Sequence, residues 1–422
     1  MTVEAIRQSE RMSALPLAGI RVLDLSRLLP GPFCSLLLAD YGADVVKVED
    51  TGPGDYVRWS LPAVDGVEDS ARAVRFLALN RNKASVRLNL KHPAGREAFL
   101  TLVEGADVVL ESFRPGVMGR LGLGYEVLRE RNPGVVLCAI SGYGAEGPST
   151  ERPGHDLNYL GLVGLLDLSG DADGPPALAA GQIADVGGGA LMAAFGILAA
   201  LRERDRSGEG QFVDVSMADG ALSWLAMDAA RALHGETLRR GELELGGRLI
   251  CYRPYECADG YVTLGALEPK FFEAFCRGVG REDLVAKQFE APGSAAHAQL
   301  EAILLERTRA QWAQFASEHP CCLEPVLELE EALDSALVRA RGMVVELDQP
   351  GAREPVRLLG PPVKLSRTPA DPNRRPAPGL GEHTDAELAA AGLDAEAIRA
   401  LHASGATAGP PEAGAAGGSF LS

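Results

Sequence analysis

A strand, a helix and a second strand follow one another near the start of the chain, with only short connections between them. The residues predict strands at 20–25 and 43–49 and a helix at 33–41. Because a helix that joins two strands in this way forms a crossover between parallel neighbours, the pattern predicts a parallel sheet and an α/β fold. The first turn lacks G-x-G-x-x-G, so no nicotinamide-type dinucleotide site is predicted.

The length of 422 residues is enough for two domains. Composition shifts after His234 to a polar, Gly-rich stretch, and alternation around Asp259-Gly260 then predicts a β-hairpin. We therefore expect a large domain, a small α/β domain, a return to the large domain and a disordered tail rich in Gly, Ala, Pro and Ser. The predicted bounds are, in that order, 1–232, 233–341, 342–403 and 404–422.

Charge and cysteine content exclude several classes of protein. The formal net charge of −17 argues against a nucleic-acid binder or a protein of anionic membranes. Seven cysteines without a C-x-x-C pair favour reduced thiols over a disulfide framework or a zinc site, so no metal is predicted. The start of the chain lacks the apolar core of a secretory signal, and the longest apolar runs, such as 190–201, are too short for a membrane helix. We expect a cytoplasmic protein.

Two polar stretches precede apolar segments in the middle of the chain. His155 and Asp156 follow Gly154 just before an apolar run, and Asp185 precedes three glycines and a predicted helix. A carboxylate in the first turn of a helix is stabilised by the helix dipole and by free backbone N–H groups. A strand at 135–141 leads into this region, and α/β folds place catalytic groups at the carboxyl ends of strands. Catalysis and simple capping both fit this pattern.

A cluster of basic residues lies in the stretch 79–88, beside a predicted strand. Arg81, Lys83 and Arg87 lie within seven positions of an otherwise acidic chain. Such charges either guard a solvated strand edge or form a phosphate-binding rim, and the residues alone leave both explanations open.

Several ordered motifs are shared with one known family. They are L-A-G-I-R-V-L-D-L-S-R-L-L-P-G-P, Y-G-A-D-V-V-K-V-E, N-R-N-K-A-S-V-R-L-N-L-K, E-S-F-R-P-G-V-M-G-R-L-G-L-G, S-G-Y-G-A-E-G-P, G-A-L-E-P-K-F-F and L-G-E-H-T. Over about residues 17–384 the chain resembles the family III CoA-transferase (CaiB/BaiF) superfamily, and within it the α-methylacyl-CoA racemases. The resemblance implies a Rossmann-like large domain built from both ends of the chain and a small middle domain. It also implies ring-like chains interlocked as a homodimer, with active sites between subunits.

The resemblance further implies an acyl-CoA thioester as substrate and no cofactor beyond its CoA moiety. The implied CoA contacts are Arg81, Lys83 and Arg120 for phosphates, Arg114 as a further binding residue, and Val46 and Val48 beside the adenine.

Members of the family divide at the position of His155. The racemases carry G-H-D followed by an aspartate in a Gly-rich context, as this chain does at Asp185. The implied reaction moves the α-proton of a 2-methylacyl-CoA between His155 and Asp185, because inversion needs a base on one face and an acid on the other. Glu268, from the other subunit, would orient the histidine, and the N–H of Asp156 would donate to the enolate oxygen.

Transfer of CoA between two acids is the alternative. Transferases of the family generally lack the histidine and use the aspartate matching Asp185 as a nucleophile, which forms an acyl anhydride. The chain also departs from the racemases: it carries L-G-G-R-L-I-C-Y where they carry D-G-G-A-P-F-Y. Arg248 in this segment would suit a polar or carboxylated acyl group. A non-catalytic acyl-CoA-binding protein is the third alternative.

Overall fold

The structure, a computed structural model, describes residues 15–411. Twelve strands occur in this part of the chain: β1 (Arg21–Asp24), β2 (Asp44–Glu49), β3 (Lys83–Leu88), β4 (Val108–Glu111), β5 (Val136–Ser141), β6 (Phe212–Ser216), β7 (Tyr252–Cys257), β8 (Gly260–Gly265), β9 (Leu323–Pro325), β10 (Val344–Leu347), β11 (Val356–Leu359) and β12 (Thr407–Ala408). The strand–helix–strand pattern predicted at the start of the chain is confirmed by β1 and β2 and by the helix between them.

The α-helices of the described residues are α1 (Pro30–Asp40), α2 (Val74–Asn80), α3 (Pro93–Glu104), α4 (Val117–Arg120), α5 (Tyr125–Arg131), α6 (Asp156–Leu162), α7 (Leu191–Ser207), α8 (Met217–Ser223), α9 (Ala226–Leu233), α10 (Pro269–Gly278), α11 (Ala295–Leu304), α12 (Arg309–Glu318), α13 (Leu329–Leu333), α14 (Ala336–Ala340), α15 (Thr384–Ala390) and α16 (Ala395–Ala403). A π-helical turn (Ile183–Ala190) leads directly into α7.

A seven-stranded sheet in the order β12-β3-β2-β1-β4-β5-β6 forms the centre of the larger part of the fold. Strands β1 to β6 pair in parallel, and β12 pairs antiparallel with β3 at one edge. The strand order reverses between β1 and β4, and in open α/β sheets a crevice forms at such a reversal, beyond the carboxyl ends of the strands. The predicted α/β class with a Rossmann-like large domain is confirmed.

One face of this sheet carries a continuous apolar row. Strand register places five side chains side by side across five strands, and all are fully or nearly fully buried: Leu23, Val46, Ala84, Val109 and Leu137. They pack against helices of the same hydrophobic core, which includes Phe99 and Leu388. Each valine or leucine of this row stabilises the fold by about 1.5–3 kcal/mol through burial, so the sheet is a rigid support for the loops at its carboxyl edge.

The chain divides into two compact units. The second unit comprises Gly161–Ala180 and Leu225–Val338, and the first unit comprises the rest. The second unit holds the antiparallel sheet β7-β8-β9 and a core that includes Phe272 and Trp312. Its main part starts before the predicted boundary at 233, and it also includes residues 161–180, which were predicted to belong to the large domain. Residues 161–180 contact the rest of the second unit, where Arg240 lies 3.8 Å from Asp167.

Three local predictions are wrong. The tail predicted to be disordered from 404 instead adds β12 to the sheet, while residues 412–422 lie outside the described residues. The residues over 300–317 predict one helix, but the structure has two, because Thr308 and Gln311 form a capping box that starts α12. The residues over 217–230 also predict one helix, and in the structure it breaks between α8 and α9.

The apolar run at 190–201, which was predicted to be too short to cross a membrane, is part of a longer helical segment. The π-helical turn and α7 form one helical segment, Ile183–Ser207, of 25 residues with a mean hydropathy of 1.7. By length and composition alone it could cross a membrane. This is weak evidence, because 44% of its apolar window is buried inside the structure, and α7 packs on β5 and β6 as a core helix does.

Candidate active site

A cavity of about 620 Å³ opens at the carboxyl edge of the large sheet, within the first unit. The loops that follow β1, β4 and β5 line it, as expected for a crevice at the reversal of strand order. His155 and Asp185 both line this cavity, and Asn158 lies beside them in its wall. The proton transfer between these two residues that the resemblance implies requires one shared cleft, and the structure places both of them in the wall of this cavity.

Asp185 lies in the π-helical turn, and close backbone packing fixes that turn. The turn contains Gly188, which crosses Gly220 of α8 so closely that neither position has room for a Cβ. A Cβ on Gly188 would lie 2.5 Å from the carbonyl oxygen of Met217. π-Helical turns are rare in proteins, and those that occur often lie at functional sites. The glycines next to Asp185 therefore allow the turn to sit against α8 and hold the carboxyl group at the cavity.

Asp156 ties the two candidate catalytic stretches together. It is the first residue of α6, and its Oδ1 accepts a hydrogen bond of 2.9 Å from the backbone N–H of Asp185. The sequence assigned a role only to the backbone N–H of Asp156. The structure adds a role for the side chain, which joins the turn after His155 to the π-helical turn.

The carboxyl group of Asp185 is poised to titrate near neutral pH. Its pKa is raised to about 6, first by burial and then by the negative charge of Asp156, while the nearby His155 acts in the opposite direction. A carboxyl group with such a pKa exchanges a proton readily near neutral pH, as acid–base catalysis requires.

The turn that presents His155 is held by its own neighbours. The backbone N–H of His155 donates to Oδ1 of Asn158 at 3.0 Å, and the hydroxyl of Tyr159 donates to the carbonyl oxygen of Gly154 at 2.5 Å. Tyr159 is buried and packs edge-on against Tyr143. The histidine itself is exposed, so its ring is accessible to a ligand in the cavity.

Three arginines also line the cavity, namely Arg27, Arg114 and Arg152. Arg27 also pairs with Asp50 at 2.8 Å, so Arg114 and Arg152 provide most of the local positive charge in a chain with a net charge of −17. The sequence analysis selected Arg114 but missed Arg27 and Arg152, because the sequence around each of them does not show whether a loop side chain faces a cavity. The cavity therefore suits an anionic ligand.

The family model for CoA-transferase family III matches residues 17–384. The chain belongs to this family. It is 38% identical over 388 residues to the succinyl-CoA:mesaconate CoA-transferase of Haloarcula marismortui, covering 90% of this chain and 97% of the relative. It is 36% identical over 393 residues to the α-methylacyl-CoA racemase of Mus musculus, covering 92% and 96%. The crystal structure of a CaiB/BaiF family protein from Brucella suis matches with a TM-score of 0.77 and 31% identity, covering 90% of this chain and all of that one.

These comparisons confirm the resemblance stated from the motifs. Both activities among the relatives belong to enzymes, so this member of CoA-transferase family III is an enzyme, and the non-catalytic alternative is wrong. The relatives include both transferases and racemases, so family membership leaves the reaction open.

Two residues predicted to bind the CoA phosphates instead pair with buried carboxylates in the interior of the fold. Arg81 is buried and pairs with Asp40, with 2.7 Å between Nη2 and Oδ2. Lys83 is fully buried, its Nζ donates to Asn80 at 2.9 Å and lies 3.4 Å from Asp24, and burial lowers its pKa to about 8. The prediction of a phosphate-binding rim is corrected here: these cations stabilise the interior and neither lines the cavity. The sequence shows that charged residues accompany this strand, but it does not show that their side chains are buried.

The other predicted CoA contacts differ in accessibility. Val46 is fully buried and Val48 nearly so, and both side chains pack in the core of the sheet, so neither side chain faces a ligand. Arg120 is exposed at the end of α4, and Arg114 is exposed in the cavity wall, so both are accessible to phosphate. Glu268 lies in the second unit as the residue before α10, and its predicted role toward His155 stays a prediction.

Replacing Arg81 with Met is expected to destabilise the protein by about 3–5 kcal/mol, since it leaves the buried Asp40 carboxylate without its cation. The affinity for a CoA thioester should stay within about twofold of the wild type. Urea unfolding and calorimetric titration measure the two quantities. Arg129→Met, which removes an exposed pair with Glu126, is the matched control and should change stability by less than about 1 kcal/mol. A tenfold loss of affinity in a stable Arg81 variant would restore the phosphate-binding role.

Replacing Asp156 with Asn should shift the pH dependence of the enzyme. The amide oxygen can still accept from the N–H of Asp185, while the negative charge that raises the pKa of Asp185 is lost. Steps that need ionised Asp185 lose rate as the pH falls through about 6 in the wild type. In the variant this acidic limb of kcat/KM should move to lower pH. Rate profiles between pH 4 and 8 test this, and a limb that stays in place or moves upward contradicts the coupling.

Proposed function

We propose that the enzyme epimerises a 2-methylacyl-CoA thioester by moving its α-proton between His155 and Asp185. The supporting observation is that this imidazole and this carboxyl group line one cavity at the carboxyl edge of the sheet. A thioester α-proton is weakly acidic, so its removal needs a positioned base and a stabilised enolate oxygen. Inversion then needs a second group, on the other side of the α-carbon, to return a proton.

The two groups exchange roles with the configuration of the substrate. One substrate configuration is deprotonated by His155 and reprotonated by Asp185, and the other is converted in the reverse direction. A pKa of about 6 lets Asp185 act in both capacities near neutral pH. The N–H of Asp156 at the start of α6 would donate to the enolate oxygen, and Glu268 of a second copy would orient the imidazole.

The CoA moiety is the only organic group that this reaction requires, and no metal or nicotinamide takes part. Its phosphates would contact the exposed guanidinium groups of Arg114 and Arg120. Arginine suits this task because its planar donors match phosphate oxygens.

Isotope exchange tests the proposed reaction. The enzyme is incubated in deuterated water with each configuration of a 2-methylacyl-CoA, and proton NMR follows the α-position. We expect deuterium at that position together with inversion, from both starting configurations. Absence of exchange with a set of 2-methylacyl-CoA thioesters of different chain length contradicts the proposal.

Transfer of CoA between carboxylic acids is the second candidate, and the arginines of the cavity support it. Arg27, Arg114 and Arg152 could pair with the carboxylate of an acceptor acid as well as with CoA. A carboxylate oxygen of Asp185 would attack the thioester carbonyl carbon, the C–S bond would break, and CoA would leave as thiolate. Hydroxylamine would trap the resulting anhydride as a hydroxamate on Asp185. Its absence with succinyl-CoA and other donors would count against transfer.

We also propose that two copies assemble as a homodimer, with the apolar face of α7 in the interface. Leu191, Phe195 and Leu198 of this helix are 41%, 71% and 43% exposed, which is unusual for large apolar side chains on one helix. Sedimentation velocity should give twice the mass of 44.5 kDa, and a monomer at micromolar concentration contradicts this assembly. All seven cysteines are free thiols, which supports a reducing, cytoplasmic location that cell fractionation can test.

A further inference from the structure

Leu28 has a backbone conformation that its side chain disfavours. Its φ is +64°, and among the described residues only three other non-glycine residues have positive φ: Asp65, Asn82 and Cys322. Left-handed backbone is strained for a branched apolar residue, and such strain tends to occur at functional sites. Leu28 alone of these four lines the cavity that contains His155 and Asp185.

A buried ion pair imposes this conformation on the turn. The N–H of Leu28 donates to Oδ1 of Asp55 at 3.3 Å, and Oδ2 of Asp55 lies 3.0 Å from Nζ of Lys47. The same Nζ donates to the carbonyl oxygen of Ser26 at 2.8 Å. Both charged side chains are fully buried. One ion pair therefore holds both ends of the turn at residues 26–28, which can offset the strain at Leu28.

The turn is also joined to the rest of the cavity wall. Tyr56 follows Asp55 directly and lines the same cavity. Helix α1 begins two residues after Leu28 and packs against the π-helical turn that carries Asp185. The backbone of Leu28 is thus held in place relative to the elements that present the candidate catalytic groups.

The side chain itself has no other evident use. Leu28 is only half-buried and is not among the buried apolar residues of the core. A turn with this φ forms without strain when the residue is glycine. Compared with glycine, a leucine here adds strain to the backbone and apolar surface to the cavity. The apolar surface is therefore the contribution that this side chain makes to the cavity.

We propose that Leu28 is a specificity-determining residue whose side chain limits the size of the acyl group that the cavity admits. The Lys47–Asp55 pair positions the turn that carries Leu28. This inference rests on the proposed acyl-CoA chemistry for the nature of the ligand. In apolar pockets one methylene group changes discrimination by about 10–200-fold, so removing an isobutyl group should have a large effect.

The test compares two unreactive CoA thioethers, S-ethyl-CoA and S-(2-phenylpropyl)-CoA, by calorimetric titration. The ratio of their dissociation constants measures discrimination by size. In Leu28→Gly the ratio should shift at least tenfold in favour of the larger thioether. In Leu28→Asn the ratio should stay within threefold of wild type, because asparagine relieves the strain and keeps a similar size. Circular dichroism verifies folding, and Leu28→Ser replaces the glycine variant if that variant is not folded.

The outcomes separate this inference from the proposed function. Thioethers undergo neither proton transfer nor acyl transfer, so the measurement does not depend on which reaction the enzyme performs. A wild type that binds both thioethers, with a glycine variant of unchanged ratio, overturns the role of Leu28 alone. An equal shift in the asparagine variant also overturns it, since strain rather than size would then be responsible. A wild type that binds neither thioether overturns the acyl-CoA function together with this inference. Asp65→Gly, which changes a left-handed residue outside the cavity, should leave the ratio unchanged.

Discussion

Replacing Asp185 with Asn should lower the rate of α-deuterium exchange by about 10²–10⁴-fold and leave the fold intact. An amide can neither take up nor return the proton, and a positioned acid or base contributes about that factor. The side-chain oxygens of Asp185 accept no hydrogen bond from residues 15–411, so the substitution removes no structural contact there. Initial rates of exchange in deuterated water, measured by NMR, give the effect directly.

A matched control lies on the helix that follows. Asp205 of α7 has a side chain that is 57% exposed and that, within residues 15–411, forms only a surface pair with Arg202. Asp205→Asn makes the same chemical change outside the cavity, so the exchange rate should stay within twofold of wild type. If Asp185→Asn keeps more than a tenth of the wild-type rate, the carboxyl group does not carry the proton. The same variant should also abolish any hydroxamate formed during CoA transfer, because the nucleophile is gone.

The parts of the fold that could be predicted are those set by local patterns. Strands β1, β2 and β5 coincide with short apolar runs bounded by turns, and such runs predict strands directly. Strand β12 was missed because two residues in a Gly- and Ala-rich tail have no periodicity, and only the open edge of β3 makes them a strand. The division of helices was missed where a cap lies inside an apolar pattern, as at Thr308.

The candidate site shows the same contrast between local and long-range information. His155 and Asp185 could be selected because each stands at the start of an apolar segment after a turn, and parallel strands bring such starts to one edge. Arg81 and Lys83 were assigned wrongly because their partners, Asp40 and Asp24, lie more than 40 residues away in sequence. Whether a cation is paired inside the fold or faces a ligand depends on such distant partners. A single sequence does not reveal them.

Replacing His155 with Gln should separate the two candidate reactions. Epimerisation needs both groups, so inversion should fall by about 10²–10⁴-fold. Transfer through an Asp185 anhydride needs only the carboxylate, so hydroxamate formation from an acyl-CoA should remain within about threefold. The two assays, run on one preparation, report inversion and acyl capture independently.

The control for this variant is His234→Gln, since His234 is exposed at the end of α9 and does not line the cavity. It should leave both readouts unchanged. If His155→Gln retains inversion, the imidazole is not one of the two proton carriers and the epimerase proposal fails. If it retains hydroxamate formation while the wild type shows no exchange, CoA transfer is the reaction. Because the imidazole is exposed and its ring makes no hydrogen bond within residues 15–411, either result reports chemistry rather than loss of folding.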